Sequence, residues 1–500
     1  MTARSAFESD HYELESIVSS ETEIKLDLSD EATEGLLGSH LLGEPAKILK
    51  QRSTYFDTRD RALWQEGYTL RIREVGEAHV QTVKATGPAR SLFARSEWEA
   101  PIGGDEPVLD HTSPLVGKFG TNLKLEPVFD VLIERRQWDL EENGSRIEVV
   151  IDRGEIISGD RRFPIREAEI ELKDGKISDL FVCARKIDGV AGFRFGMRSK
   201  AERGFALIEA QKQAFKAERV DLEPDMNAAS AFQAIALSCV RQFRLNEDIL
   251  LQKRNPEALH QARVALRRLR SAFSLFKMFI PGSEPERLKE ELRWIAAVLG
   301  EARNVDVLLV KATNADIVSR LKAAKEAAYR DAIEALGSSR ARALMLDLFE
   351  WLECGEYLPG MGSAMADIPS AQEFAVRVLD KQRKRIKKAG HNLMKVDDEH
   401  RHEVRKDAKK LRYTTEFFVS LFENKRAARR HRKFLAAMEA LQDDLGALND
   451  LATGHEVFEK HGLAEHPARA SVVSHADKEA LIEKAQASLD DLLDAKRFWR

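Results

Sequence analysis

Five hundred residues, 43% hydrophobic and 32% charged, describe a soluble globular chain with room for two or more cores. No signal peptide, no membrane-length apolar run, no Gly-rich Walker-type loop and no cysteine metal-ligand spacing occurs, and Cys183, Cys239 and Cys354 read as reduced core residues of a cytoplasmic protein. The net charge of −4 offers a polyanion no overall attraction, but the charge is segregated into an acidic N-terminal stretch and basic helical stripes, and the local field matters more than the sum.

The first informative run is Glu21-Thr22-Glu23-Ile24-Lys25. Side chains alternate along a strand, so Glu21, Glu23 and Lys25 share one face and Ile24, Leu26 and Leu28 the other. Burying two carboxylates and an ammonium is costly unless that face lines a wet cavity holding a metal ion and an anion. Alone the pattern is weak, but it recurs. Ser53-Thr54-Tyr55-Phe56 is an extended run closed by Asp57-Thr58, and Arg71 and Arg73 share a face in Tyr68–Arg73. Val80–Lys84 adds Lys84, and Phe93–Glu99 aligns Arg95, Glu97 and Glu99. Val131–Trp138 carries Arg135 and Arg136, Ile147–Asp152 aligns Glu148 with Asp152, and Glu167–Lys173 repeats the opening. Turn signals at Val75-Gly76, Gly87-Pro88, Asn143-Gly144 and Asp174-Gly175 separate the runs. This predicts an antiparallel sheet closed into a barrel with a polar lumen, its basic residues gripping phosphate and its paired carboxylates a hard divalent cation.

Residues 18–205 resemble a CYTH domain, the triphosphate tunnel metalloenzyme family. The resemblance rests on Glu21-x-Glu23-x-Lys25, Tyr55-Phe56-Asp57-Thr58, Leu70-Arg71-Ile72-Arg73, Glu169-Ile170-Glu171-Leu172-Lys173 and Ser199-Lys200-Ala201-Glu202-Arg203-Gly204. It implies an eight-stranded antiparallel tunnel for a triphosphate and one or two Mg²⁺ or Mn²⁺ ions. Glu21, Glu23, Glu169 and Glu171 would hold the metal. Lys25, Arg52, Arg71, Arg73, Lys84, Arg95, Arg135 and Lys200 would grip phosphate. Glu97 and Asp152 would orient basic side chains, a metal or water. Glu99, Glu148 and Arg136 are set aside as structural or rim residues.

From about residue 222 the pattern changes to helix. Apolar residues recur at three- and four-residue spacing, and Ala, Leu, Arg, Lys and Glu dominate. The polar stretch Gln211–Pro224 marks the boundary. An internal repeat follows: His260-x-x-Arg263-x-x-x-Arg267-x-Leu269-Arg270 matches His402-x-x-Arg405-x-x-x-Lys409-x-Leu411-Arg412. On a helix these offsets stay within about 80°, giving a basic stripe roughly 15 Å long in each repeat. Ala262, Leu266, Leu269, Phe273 and Phe276 form a separate core face. No acidic residue lies between His260 and Lys277 to neutralise the first stripe. Each repeat has a downstream partner, Leu299-Gly300-Glu301-Ala302-Arg303-Asn304-Val305-Asp306 and Leu445-Gly446-Ala447-Leu448-Asn449-Asp450.

Residues 222–500 resemble the CHAD domain, a conserved-histidine helical domain of two four-helix repeats, with Asn304 standing where the family has aspartate. The resemblance implies inorganic polyphosphate binding through His260, Arg263, Arg267, Arg270, His402, Arg405, Lys409 and Arg412, with Arg303 added. The expected fold is therefore multi-domain, α+β and all-α: a tunnel over 18–210, then a helical domain over 222–500 with repeats at about 222–365 and 366–500. The expected function is metal-dependent hydrolysis of tripolyphosphate to pyrophosphate and phosphate, in the cytoplasm and in association with polyphosphate granules. The alternatives are an organic substrate (thiamine triphosphate or ATP) in the same tunnel and a non-enzymatic polyphosphate-binding or granule-targeting protein. Nucleic acid is disfavoured because the stripes hold few aromatic residues for base stacking. Oligomeric state is left open.

Overall fold

The computed structural model describes residues 17–76, 78–85, 94–110, 113–358, 368–460, 462–463, 465–467 and 478–500, with the side chains of 17–21, 75, 94–96 and 449–457 outside the description. The chain divides into two compact units, Met1–Gln211 and Lys212–Arg500.

The first unit contains β1 (Ile17–Leu28), α1 (Asp30–Leu37), β2 (Lys47–Asp57), α2 (Ala62–Gln65), β3 (Tyr68–Val75), β4 (Ala78–Ala85), β5 (Ala94–Ile102), α3 (Val116–Phe119), β6 (Glu126–Glu142), β7 (Ser145–Ser158), β8 (Arg161–Asp174), α4 (Ile177–Asp188), β9 (Phe193–Phe195) and α5 (Lys200–Ile208). The strands run in the order β5-β4-β3-β2-β6-β7-β8-β1-β9, and β5 also pairs with β1. Eight antiparallel strands thus return on themselves as the tunnel expected from the sequence, and the short β9 adds a ninth alongside β1.

Local chemistry explains the turns and caps. Asn143 and Gly144 both take positive φ (50° and 88°) between the paired residues Glu142 and Ser145, the two-residue hairpin turn that Asn-Gly favours. The Asp57 carboxylate accepts backbone N–H groups from Thr58 (2.7 Å), Leu63 (2.9 Å) and Trp64 (3.0 Å), tying β2 to α2. Ser199 and Glu202 form a reciprocal capping box that starts α5 at Lys200. A Cβ on Gly204 would lie 2.2 Å from the Phe129 ring, so only glycine lets α5 sit this close to β6. The outer strand faces are apolar: Ile24, Leu26, Leu70 and Ile72 are buried, opposite the charged residues between them.

The second unit is helical: α6 (Ala228–Lys253), α7 (Pro256–Leu275), α8 (Ser283–Lys311), α9 (Ala315–Gly337), α10 (Ser339–Cys354), α11 (Ala371–Ala389), α12 (Asp398–Phe418), α13 (Lys425–Lys460) and α14 (Lys478–Asp494). The two stripe motifs lie on α7 and α12, and their downstream partners on α8 and α13. Among the described residues the first repeat carries one more α-helix than the second. Its fourth arm breaks after Gly337, where the Ser338 side chain accepts the Ala341 N–H and starts α10. Ala262, Leu266, Leu269, Phe273 and Phe276 are all buried as the core face of α7 and the turn after it. Among the described residues no helix is long and apolar enough to cross a membrane.

Candidate functional site

Alternation along the tunnel strands sends every second side chain inward, into a cavity of about 250 Å³. Of the predicted residues, Glu23, Lys25, Arg71, Arg73, Lys84, Glu97, Arg135, Glu169, Glu171 and Lys200 line it. Asp152 is fully buried behind that wall. Glu21 and Arg95 are register partners across β1 and β5, and their side chains lie outside the described residues. Arg52 requires a correction: it falls on the face opposite Gln51, Ser53 and Tyr55, is half exposed, and pairs with Asp130 at 3.1 Å. The period of two that brings its neighbours inward carries it outward.

The deepest part of the cavity is a compensated ion network. Arg135 grips Asp152 with two hydrogen bonds (2.8 and 2.6 Å) and donates a third to Glu169 (2.8 Å). Lys25 lies 2.7 Å from both Glu23 and Glu169. Lys200 touches Asp152 (2.8 Å), Glu169 (3.1 Å) and Glu167. Glu97 receives Arg71 (3.3 Å) and Lys84 (2.5 Å). Burial alone would push the Glu169 carboxyl up, but Lys200, Lys25 and Arg135 outweigh it and hold it well below the usual carboxylate range. The same contest lowers Asp152, through Lys200 and Arg135. Burial likewise opposes charge on Lys25 and Lys200, and their carboxylate neighbours raise both above the ordinary lysine value.

Two features break this compensation. Arg73 has no ion pair or hydrogen bond among the described residues. The neighbouring Arg71 charge, then burial, then Arg135 bring it down to about 10. A cation held beside two others, inside a cavity, is short of negative charge. Nearer β1, the shortage reverses. Glu148, Glu171 and Glu23 stand abreast in register across β7, β8 and β1; Lys173 lies 2.7 Å from Glu171 and 3.4 Å from Glu148, and among the described residues Glu23 has only Lys25, which it shares with Glu169. Burial pushes the Glu171 carboxyl up, and Glu148 and Glu23 add to it against Lys173. The carboxylates of Asp152, Glu167 and Glu169 also come within 4.8 Å of one another. That triad is already neutralised by Lys200 and Arg135, so the Glu23–Glu171–Glu148 row has the greater need of a cation.

Several residues in the site were not singled out by sequence. Glu167 is buried and holds Arg203 at 2.8 Å; it is the third member of the alternating Glu167-Glu169-Glu171 face, a signal present but unused. Glu148 and Glu99, set aside as rim residues, both line the cavity. Thr82 donates to Glu99 at 2.8 Å. Tyr55 stacks on Phe129 at 4.6 Å and faces Arg71.

In the helical unit, α7 and α12 meet. A cavity of about 500 Å³ is lined by His260 and Arg267 from α7 and by Lys409 and Arg412 from α12. Arg267 donates to the Tyr413 hydroxyl at 2.6 Å. Arg263 donates to the Gly300 carbonyl of α8 at 3.1 Å. Burial, then Arg267 and Arg303, bring Arg263 down to about 10. Burial and Arg303 likewise lower His260. The α7 stripe is partly answered from α8, where Glu301 acts on Arg263 and Glu290 on Arg270; Glu416 of α12 holds Arg412 one turn earlier on its own helix (2.8 Å) and reaches Arg268, off the stripe, at 3.4 Å. His402, Arg405, Arg263, Arg270 and Arg303 lie outside this cavity's lining.

Comparison with known proteins separates the same two regions. The CYTH domain model matches residues 19–205 and the CHAD domain model residues 234–459. An inorganic triphosphatase of Haemophilus influenzae is 32% identical over 210 residues, 40% of this chain. The chain spans 58% of that relative's length. Among solved structures, the CHAD domain from the plant Ricinus communis is 28% identical, with a TM-score of 0.47, over 57% of this chain and 97% of its own. The PH1819 protein from Pyrococcus horikoshii OT3 is 20% identical, with a TM-score of 0.26, over 37% of this chain and 97% of its own. With the two domain models matching in tandem, this chain belongs to the proteins that carry a CYTH domain followed by a CHAD domain.

Proposed function

We propose that the protein is a metal-dependent inorganic triphosphatase that hydrolyses tripolyphosphate to pyrophosphate and phosphate. Its helical domain binds inorganic polyphosphate. The working assignment is a tunnel domain over 18–210 and a helical domain over 222–500, with repeats 222–365 and 366–500. The observation that carries the reading is the cavity's split charge: Arg73, uncompensated beside Arg71 and Arg135, faces a row of carboxylates short of cations. A bare phosphate chain with a divalent ion supplies both missing charges at once. The Haemophilus influenzae relative, named an inorganic triphosphatase, supports the same substrate class.

The donor set fits a hard cation. Glu23, Glu169 and Glu171 would hold Mg²⁺ or Mn²⁺, with Glu21 on the same strand face and Glu148 beside Glu171. Bound there, the ion neutralises phosphate oxygens and lowers the charge barrier to attack by water. The basic side chains do the rest. Arg71 and Arg73 grip phosphoryl oxygens, and Arg135, Lys25 and Lys200 stabilise charge developing between the transferred and leaving groups. Their paired carboxylates hold these cations in place before the ligand arrives, so little reorganisation accompanies reaction. Glu97 and Asp152 act as positioning residues for Arg71, Lys84 and Arg135.

The test is phosphate release from tripolyphosphate, pyrophosphate, ATP, thiamine triphosphate and long polyphosphate, each with Mg²⁺, Mn²⁺ or chelator. The expected result is metal-dependent release from tripolyphosphate above all others. Preference for ATP or thiamine triphosphate would replace the substrate. Inactivity on the whole panel, with tight polyphosphate binding, would leave a non-enzymatic binder.

A further inference from the structure

The segment 212–222 carries no helix or strand, yet it is tied to both helical repeats. Phe215 gives its N–H to the Asn246 side chain (2.9 Å) and accepts that side chain's N–H in return (2.8 Å), and Asn246 is fully buried on α6. Gln213 accepts from Asn255 at the start of α7 (2.8 Å). Further along, the Leu222 N–H reaches the Ser420 hydroxyl just after α12 (3.0 Å), and Arg219 pairs with Glu423. Val220 and Leu222 are buried. An irregular stretch held this way is a strap laid from the first repeat to the second. Between its ties it borders the α7–α12 cavity, where Lys216 and Arg219 join His260, Arg267, Lys409 and Arg412. Lys216 is exposed and has no ion pair or hydrogen bond among the described residues. The acids facing the cavity are Glu416, taken by Arg412 and Arg268, and Glu218, 3.9 Å from Arg241.

We propose that this strap is a third wall of the polyanion site, its Lys216 and Arg219 closing on a phosphate chain already held by α7 and α12. This rests on the polyphosphate reading of the helical domain. An elongated polyanion lying between two helices leaves phosphate oxygens facing outward, and the strap is the element placed to meet them. Its backbone is tied at both ends, so its cations are already positioned rather than recruited from a free chain.

Two measurements on the full-length protein test this with long-chain inorganic polyphosphate as the probe. In the first, trypsin cleavage after Lys216 and Arg219 is followed by mass spectrometry with and without polyphosphate; cleavage there should slow by about tenfold at saturation, because only the unbound strap opens. In the second, Lys216→Gln, which removes an exposed charge and no ion pair, should weaken binding about threefold and Lys216→Glu more, with a shallower salt dependence because fewer counterions are released. Parent protein that binds polyphosphate while the strap stays equally cleavable, and Lys216→Glu that binds like the parent, would overturn the strap's role alone. Parent protein that binds no polyphosphate would remove the underlying reading and the strap's role with it.

Discussion

Both domains collect basic side chains, but they hold them differently. In the tunnel, Arg73 apart, strand register sets cations against carboxylates: Arg135 on Asp152, Lys25 on Glu23 and Glu169, Arg71 and Lys84 on Glu97. In the helical domain, burial and the neighbouring Arg303 lower His260, burial with Arg267 and Arg303 lowers Arg263, and α7 itself offers no acid after Glu257. Compensated charges are rigid and hold a small ligand in one pose. Uncompensated charges attract a long polyanion through its field and tolerate many registers. The first arrangement suits chemistry, the second capture.

The largest break in this comparison comes from the tunnel's carboxylate row. Glu23→Gln keeps shape and removes charge, and should lower turnover roughly a thousandfold while the fold stays intact. Phosphate release across a Mn²⁺ titration, with thermal melting as control, checks it. Near-full metal-dependent activity would end the metal assignment.

Arg73 and Arg135 sharpen the distinction between compensated and uncompensated charge. Arg73→Ala should cost about a hundredfold in kcat/KM. It should cost under about 1 kcal/mol in stability, because it relieves repulsion from Arg71. Arg135→Ala should also destabilise, by about 3 kcal/mol, since Asp152 and Glu169 stay buried with one cation fewer. Denaturant melts beside initial rates separate the two, and equal stability losses would contradict the assigned difference.

In the helical domain, neutralising Arg263 with Arg267, or Arg405 with Lys409, should each weaken long-polyphosphate binding roughly tenfold or more and flatten its salt dependence. Tripolyphosphate turnover should stay within about twofold, because enzyme electrostatics act at short range in salt. Unchanged affinity in both variants would reduce the stripes to solvated surface, and equal DNA binding by the parent would favour nucleic acid.

The smallest expected effect concerns pH. His260 faces Glu257, Arg263, Arg267 and Arg303, and burial with Arg303 lowers its pKa. At neutral pH it is uncharged; as pH falls below its ordinary value it gains a proton, and a bound phosphate favours that charged form. Affinity should therefore rise severalfold between about pH 7.5 and 5.5, a gain that His260→Gln removes. A parallel rise in His260→Gln would assign the effect elsewhere.

The strands of the tunnel were legible because alternation is a local property. Glu21 to Lys25 and Glu167 to Lys173 declare their faces without any neighbour. Arg52 was placed by the family resemblance and not by this rule, because residues 46–52 lack a clean alternation to set the phase; Gln51 and Ser53 fix it only once β2 is paired with β6. Which carboxylates lack a cation was also invisible, since Glu148, Glu171 and Glu23 meet across three strands distant in sequence. The α7 stripe was legible from its helical spacing, whereas its partial neutralisation by Glu290 and Glu301 arrives from α8, a separate helix. The break of the first repeat's fourth arm at Gly337-Ser338 carried a readable cap, but no spacing said that one arm would become two helices.

The position of β1 in the tunnel has a consequence for how the domain is made. Its partners are β5, β8 and β9, and Leu26 pairs with Phe195. β1 precedes the other described strands of the tunnel in the chain, yet it is among the last to be satisfied on both edges. Hairpins β3–β4 and β6–β7–β8 can form as they emerge, but ring closure waits for residues far downstream. Contacts of such long sequence separation slow folding and leave an open strand edge in the interim. Synthesis of the helical domain is therefore under way when the tunnel first becomes able to shut, and a pause in translation once Phe195 has cleared the ribosome should favour closure over aggregation.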